Sequence, residues 1–352
     1  MKKYLLILGI AAVMTACSDD NQEKKQDPPS QKIGFSTLAQ KAARGENSDA
    51  TTTSGLEAYH QDFVTWGYKN IINEASVVFD GTKVSFADDV WNYTPARYWD
   101  RSADYYDFYA AAPFTDKWVW NEATRKFSYD GFEVSGKSIE PSATINNAAV
   151  FSADTDLMIA TDITGYNDYT ANKVNFIFNH ILSRINIGVT KGENLADDNV
   201  SLISVTLFNL NKDGSFDEAL ASGETLQNGT AERWTGSTEK FTDGVGYDTV
   251  TPVSSAMNYI YQALCIPQIA GYDPCKLNGT DIDAATAAPY INIKYQINDE
   301  IFNLYYNLAD LFNGAGTEDL SLNEGWQYTL KLTIDPVLIQ FDAECYEWTD
   351  KM

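Results

Sequence analysis

The residue with the clearest chemistry in this sequence is Cys17. The chain begins with a methionine and two lysines, continues through an apolar run at residues 4–13 that is too short to span a bilayer, and places Met-Thr-Ala directly before the cysteine. This arrangement is typical of a bacterial lipobox. It predicts a signal peptide at residues 1–16, cleavage between Ala16 and Cys17, and attachment of diacylglycerol and acyl chains to Cys17. The alternative is an ordinary secretory signal with a chance cysteine.

The other residue types that carry out catalysis are scarce or scattered. His60 and His180 are the only histidines, so a histidine-based triad or metal site has little material. His180 lies in the apolar run NFIFNHILSRI, which favours a hydrogen bond inside a buried strand. Two close pairs of carboxylates, Asp154 with Asp156 and Asp281 with Asp283, could perform the acid and base steps of a glycoside hydrolase. Close pairs are expected by chance, however, because the chain has 49 acidic residues. We therefore expect no enzyme, no cofactor and no metal.

Three cysteines remain once Cys17 carries lipid. Cys265 and Cys275 flank a short loop and are the candidates for one disulfide in an oxidising compartment. Cys345 alternates with Glu344 and Tyr346, a pattern that predicts a buried strand residue. Free buried cysteines throughout are the alternative.

The composition indicates an exported protein with an acidic surface. The formal charge is −24, and loss of the two lysines of the signal would make it −26. A surface of this sign repels nucleic acid and anionic lipid head groups, so no nucleic-acid partner is expected.

The pattern along the chain predicts an all-β protein. Residues 17–31 are polar and contain prolines, which predicts a flexible tether between the lipid and the fold. From Lys32 onward, short runs rich in Tyr, Phe, Val and Ile alternate with turn residues, as in β-sandwiches. Two series of about seven strands predict an amino-terminal β-sandwich at residues 32–168 and a carboxyl-terminal one at residues 169–352. The polar run TGYNDYTANK between them is the expected boundary, although it could be a long loop within one domain.

Two short runs predict hairpin turns, DGT at residues 80–82 and KDG at residues 212–214. Residues 209–214 also match the first half of a calcium loop. Position twelve of that loop is Leu220, where glutamate is required, so the hairpin turn is the preferred interpretation.

An aromatic run surrounds Arg97, and it has two interpretations. Its rings could form a face that stacks on sugars while Arg97 donates hydrogen bonds to them. Alternatively the rings pack the sandwich core, which is favoured because aromatic residues make up 13% of the whole chain and are not concentrated here. The rings are those of Trp91, Tyr93, Tyr98 and Trp99.

Several stretches, taken in order, resemble the fimbrillin family, the lipoprotein-derived subunits of type V pili and their relatives. Each motif is weak alone, but their order covers nearly the whole mature chain. The stretches are IGFSTLAQKAARG, TTTSGLEAYHQDFVTWGYK, VWNYTPARYWDRSADYYDFYAAAP, DLMIA, VNFIFNHILSRINIGV and YTLKLTIDPVLIQFDAECYEW.

The resemblance implies two tandem transthyretin-like β-sandwiches, a lipid-anchored precursor in the outer membrane and assembly by strand exchange at the cell surface. In that mechanism an arginine-specific protease cuts after an arginine that follows the first strand, and a terminal strand of the next subunit fills the vacated groove. The matching bond here joins Arg44 and Gly45. The departing strand would be residues 32–38, with Ile33, Phe35 and Leu38 as its groove-filling side chains.

Partners implied by the resemblance are other pilus subunits and a host or bacterial surface receptor. Without the resemblance, Arg44 is a single arginine in a loop of small and polar residues, where proteolysis is tolerated whatever the function. A monomeric surface lipoprotein that binds glycan through the aromatic face is therefore the alternative to a pilus subunit.

Overall fold

The computed structural model describes residues 31–39, 56, 62–137, 156–160, 162–167, 173–220, 233–235, 239–271, 288–313, 319–336 and 339–347. Strands make up most of these residues, and the all-β expectation is confirmed. One short α-helix, α1 (Leu308–Asn313), lies among them. Within these ranges, no helix combines the length and the apolar character that crossing a bilayer requires.

The strands are short and separated by turns, as their alternating sequences predict. In chain order they are β1 (Gly34–Ala39), β2 (Phe63–Ile71), β3 (Glu74–Ala87), β4 (Val90–Asn92), β5 (Tyr105–Ala112), β6 (Trp118–Asn121), β7 (Lys126–Glu133), β8 (Met158–Ala160), β9 (Ile163–Tyr166), β10 (Lys173–His180), β11 (Ser183–Lys191), β12 (Val200–Phe208), β13 (Asp213–Asp217), β14 (Trp234–Thr235), β15 (Val245–Tyr247), β16 (Thr251–Pro252), β17 (Asn258–Cys265), β18 (Gln268–Ala270), β19 (Tyr290–Ile297), β20 (Glu300–Asn307), β21 (Leu320–Leu322), β22 (Trp326–Ile334) and β23 (Gln340–Glu347).

The largest sheet contains eight strands in the order β1, β10, β8, β5, β2, β3 and β4, with β9 paired to β5. One side of this sheet covers an aromatic core that includes Phe35, Phe63, Phe108 and Phe176. Its other side packs against a four-stranded sheet of β14, β13, β7 and β6.

The carboxyl-terminal strands form a sandwich. A sheet of β17, β11, β22 and β23 faces a sheet of β15, β12, β19 and β20, with β16 paired to β12. Branched side chains fill the space between the two sheets, among them Ile187, Val205, Ile293 and Leu330. Buried and partly exposed residues alternate along β19, which gives its sequence a period of two, whereas Ser183–Val189 of β11 are buried at every position.

The sheets do not divide at residues 168 and 169, where the sequence predicts the domain boundary. β10 begins at Lys173 but is hydrogen-bonded to β1 and β8 in the amino-terminal sheet. β13 and β14 likewise pair with the sheet of β7 and β6. The second half of the chain therefore supplies three strands to the sheets of the first half.

Neither of the two runs predicted to form hairpin turns, residues 80–82 and 212–214, does so. Asp80 and Gly81 lie inside β3, where Gly81 has a φ of 56° and the pairing with β2 shifts register, so this site is a β-bulge. The hairpin between β2 and β3 turns instead at Ile72 and Asn73, both with positive φ. The residues at 212–214 do not join paired strands, because β12 and β13 belong to different sheets.

Candidate functional site

β1 is an edge strand of the eight-stranded sheet. It pairs with β10 in parallel, in a register that runs from Gly34 opposite Lys173 to Ala39 opposite Phe178. Just before β1, the backbone N–H of Ile33 donates to the carbonyl of Arg97 at 2.9 Å. A strand with one sheet neighbour can leave without separating the remaining strands of the sheet.

The side chain of Ile33, just before β1, and the described inward side chains of β1 are buried. Ile33 is 0% exposed, Phe35 2% and Thr37 3%. The ring of Phe35 lies at the centre of the aromatic core. Its centroid is 5.4 to 5.8 Å from the centroids of four other rings, those of Phe63, Phe79, Tyr93 and Phe176. Burial of one Phe side chain contributes roughly 1.5 to 3 kcal/mol, so this position anchors the strand.

Two polar contacts also hold β1. The hydroxyl of Tyr93 donates to the carbonyl of Ile33 at 2.6 Å, and burial raises the pKa of Tyr93 to about 12. The backbone N–H of Leu56 donates to Oγ1 of Thr37 at 3.0 Å. Departure of β1 would therefore leave a buried hydroxyl and a buried N–H without these acceptors.

The structure shows the burial of two of the three predicted groove-filling residues, and their role in strand exchange stays a prediction. Ile33 and Phe35 face the core, as the alternation predicts. Leu38 lies within β1, but its side chain is outside the described residues. The third buried position is Thr37, which the sequence reasoning missed. Its signal was present, because Thr37 lies two residues after Phe35 on the same face of the strand.

The predicted processing and lipidation residues lie outside the described residues; they are Ala16, Cys17, Arg44 and Gly45. Their order in the chain still carries information. β1 ends at Ala39, and the next described residue is Leu56. A cut after Arg44 would therefore separate β1, together with everything before it, from the rest of the fold.

The cysteines differ from the expectation at one position. Cys265 is buried, and burial raises the pKa of its thiol to about 12. Cys275 is outside the described residues, so a bridge between Cys265 and Cys275 stays a prediction. Cys345 is exposed, contrary to the buried position that its alternation predicts. Cys345 lies near the end of β23, an edge strand that has a neighbouring strand, β22, on one side only.

The aromatic run near Arg97 packs the core. Trp91, Tyr93 and Trp99 are buried, so their faces are not available to a ligand. Tyr98 is 55% exposed and is the one ring of the four that solvent reaches. The packing interpretation therefore describes this run better than a sugar-binding face.

His180 forms a buried hydrogen bond, as its sequence context predicts. Its Nδ1 lies 2.5 Å from Oδ2 of Asp156, and both side chains are almost completely buried. The pair links Asp156, two residues before β8, to the last residue of β10. Among the described residues no group of histidine, cysteine and carboxylate side chains could hold a metal ion. Asp154, Asp281 and Asp283 are outside those residues.

β23 is an edge strand of the carboxyl-terminal sandwich. It pairs with β22 alone, in antiparallel register from Gln340 opposite Thr333 to Glu347 opposite Trp326. Phe341 packs on the carboxyl-terminal core, with its ring centroid 4.5 Å from that of Tyr306.

Comparison with known proteins agrees with this architecture. A fimbrial protein from Bacteroides vulgatus has a similar structure, with a TM-score of 0.54, 17% identity, and coverage of 91% of this chain and 100% of that chain. A candidate cell adhesion protein from Bacteroides uniformis gives a TM-score of 0.47, 14% identity, and coverage of 90% and 98%. The tip fimbrial protein Mfa3 from Porphyromonas gingivalis gives a TM-score of 0.42 and 9% identity, with coverage of 83% of this chain and 96% of that chain.

No curated protein matches this sequence. The family model described as fimbrillin-like, in contrast, matches residues 49–348. That match covers most of the chain and includes every strand after β1, which precedes it at Gly34–Ala39. Because this match extends over more than half of the sequence, the chain belongs to the fimbrillin-like family.

Proposed function

We propose that this protein is a structural subunit of a cell-surface pilus. It is exported as a lipoprotein anchored in the outer membrane through Cys17, and it assembles by strand exchange after cleavage between Arg44 and Gly45. The resulting fibre contributes to adhesion to a host or bacterial surface. Membership of the fimbrillin-like family and the fimbrial names of similar structures support the pilus role.

The observation that carries the proposal is the position of β1. It is an edge strand with one sheet neighbour, it inserts Phe35 among four aromatic rings, and it precedes the candidate cleavage bond. Removal of such a strand exposes an apolar groove and the unpaired backbone of β10 at the same moment. A strand from another chain can satisfy both.

Cleavage after Arg44 would also change the anchoring. Cys17 precedes Arg44 in the sequence, so the lipid and β1 leave together on one fragment. The subunit would then be held at the surface by its neighbours in the fibre and no longer by its own lipid. Cleavage thus couples release from the membrane to competence for assembly.

The test uses the purified mature chain and an arginine-specific protease. Wild type should yield a product that begins at Gly45 and then form ladders of high molecular weight. Arg44→Ala should abolish both the product and the ladders while leaving thermal unfolding unchanged, because Arg44 lies in a sequence of small and polar residues. Arg101→Ala, at an exposed position, is the matched control and should behave as wild type.

Ladders from the Arg44→Ala chain, or a cleaved wild type that stays monomeric at high concentration, would rule out strand exchange. A monomeric surface lipoprotein would then be the remaining function. The exposed Tyr98 would be its single accessible ring from the aromatic run.

A further inference from the structure

A second group of aromatic rings lies on the other side of the eight-stranded sheet, away from the core that contains Phe35. We call it the ring cluster; it consists of Tyr68 on β2, Tyr109 on β5 and Trp120 on β6. The ring centroids of Tyr109 and Trp120 are 4.7 Å apart, and Nε1 of Trp120 donates a hydrogen bond to the hydroxyl of Tyr68 at 2.8 Å. Both tyrosines are buried, whereas Trp120 is partly exposed, so the ring cluster reaches the surface at Trp120.

A cation of the same chain covers the ring cluster. The guanidinium carbon of Arg125 lies 3.3 Å from the centroid of the Tyr68 ring, which is within the range of a cation–π contact. Arg125 is itself partly exposed. The side chain that covers this face of Tyr68 is therefore in contact with solvent.

The contact that Arg125 makes is imperfect in two respects. Its Nη1 is buried and has no hydrogen-bond acceptor among the described residues, although a buried donor without an acceptor is costly. Its φ is 58°, in the left-handed region that glycine and asparagine adopt most readily. Arg125 lies in the turn between β6 and β7, so its side chain can leave the ring cluster without a change in either strand.

The charges near the ring cluster favour a cation. Four carboxylates act on its two tyrosines; they are Asp80, Asp107, Glu122 and Asp162. Burial raises the pKa of Tyr68 and raises that of Tyr109 to about 12, and the carboxylates add to both shifts while the charge of Arg125 opposes them. Asp162 also contacts Lys126 at 3.5 Å. Ring faces and carboxylates together attract a cation and repel an anion.

We propose that the ring cluster is a binding site for an arginine side chain of a partner protein, and that Arg125 occupies this site as an internal competitor. The planar guanidinium group matches a flat ring face, and the group that lies on Tyr68 in this structure is a guanidinium. An arginine of the partner is not tied to a left-handed turn, so it can replace Arg125 without that strain. The site is remote in sequence from β1 and does not depend on the proposed strand exchange.

Removal of the internal competitor tests the site. Arg125→Gly takes away the side chain and suits the left-handed backbone, and Arg125→Asn is a second variant with the same backbone preference. N-acetylarginine amide should bind either variant about tenfold or more tightly than it binds wild type, because an internal competitor acts at a high effective concentration. An NMR titration that follows the indole N–H of Trp120 measures this. Arg101→Ala, at an exposed position outside the ring cluster, should bind as wild type does.

The ligand supplies a matched control for charge. N-acetylcitrulline amide has nearly the same shape as the arginine compound but no charge, and it should bind Arg125→Gly about tenfold or more weakly. Adding Glu122→Gln to Arg125→Gly should weaken binding of the arginine compound by about twofold to fivefold and leave binding of the citrulline compound unchanged, because Glu122 contributes charge to the site. Wild type, which needs no substitution, should show the same shift of the Trp120 signal at higher concentrations of the arginine compound.

The outcomes either support the site or overturn it. Equal binding of the arginine and citrulline compounds, or equal binding of the arginine compound by wild type and both Arg125 variants, would overturn the proposal. Absence of saturable binding to variants whose thermal unfolding matches wild type would do the same. Tighter binding of N-acetyllysine amide would overturn arginine as the ligand. All these chains are uncleaved, so none of the results bears on strand exchange.

Discussion

The ring of Phe35 on β1 is stacked on the ring of Phe176 on β10, with centroids 5.7 Å apart and planes within 19° of parallel. The same two strands are joined by a parallel ladder. Side-chain packing and backbone pairing therefore act between the same neighbours. Loss of one strand would remove both kinds of interaction at once, which is the energetic basis of the proposed strand exchange.

Phe35→Ala should lower the free energy of unfolding of the intact chain by about 3 to 5 kcal/mol, because it removes a ring from the centre of an aromatic core. Urea unfolding followed by tryptophan fluorescence measures this. Ser36→Ala, on the opposite face of β1, should cost about 1 kcal/mol or less. Residues 35 and 36 both precede Arg44, so cleavage after Arg44 removes the substituted residue from each variant. The remaining chains of wild type, Phe35→Ala and Ser36→Ala are then chemically identical. A stability difference that persists after complete cleavage would show that β1 is not the fragment removed.

Thr37→Val should destabilise the intact chain by about 1 to 3 kcal/mol. Valine keeps the shape of threonine but cannot accept the hydrogen bond from the buried N–H of Leu56. Thr37→Ser keeps the hydroxyl and is the matched control for the hydrogen bond. Hydrogen exchange of the Leu56 amide should quicken in Thr37→Val, and equal exchange rates in both variants would contradict the role of this contact.

The buried carboxyl group of Glu324 should make the stability of the fold depend on pH. Its side chain is almost completely buried, and Arg233 lies 2.7 Å from its Oε1. Burial raises the pKa of Glu324 from its usual 4.5 to about 7, although the guanidinium of Arg233 opposes the shift. Between these two values the folded chain holds a proton that the unfolded chain has lost. Stability should therefore fall as the pH rises from about 4.5 to about 7, by a contribution on the order of 3 kcal/mol.

Glu324→Gln should remove this part of the pH dependence. The measurement is the free energy of unfolding at pH 5 and at pH 8, and the difference between the two values should shrink relative to wild type. Glu239→Gln is the control, since Glu239 pairs with Lys212 but is well exposed. An unchanged pH difference in Glu324→Gln would exclude a raised pKa at this carboxyl.

Cys17→Ser should abolish lipid attachment and leave uncleaved precursor, because signal peptidase II acts on the lipidated cysteine. Metabolic labelling with a palmitate analogue should mark wild type and not the variant. Cys345→Ser, at an exposed cysteine, should label as wild type. Equal labelling of Cys17→Ser and wild type would remove the lipobox assignment.

The sequence pattern predicts more about single strands than about their neighbours. The run at residues 173–190 has the composition of one continuous strand, but the structure divides it into β10 and β11 in two different sheets. Ile181 and Leu182 form the break, and both are fully buried. A crossing between sheets buries apolar residues as a strand does, so periodicity alone cannot distinguish the two.

The sequence by itself determined the all-β class, the resemblance to the family and the inward positions Ile33 and Phe35, and it predicts the export signal at Cys17. Each depends on residues close together in the chain. Only the tertiary structure decided that β1 is an edge strand and that Thr37 accepts a hydrogen bond from Leu56. The physical reason is that pairing joins residues far apart, such as Ser36 and Asn175, which are separated by 139 positions. Local alternation sets which face of a strand is apolar, and the packing of the whole chain selects the strand beside it.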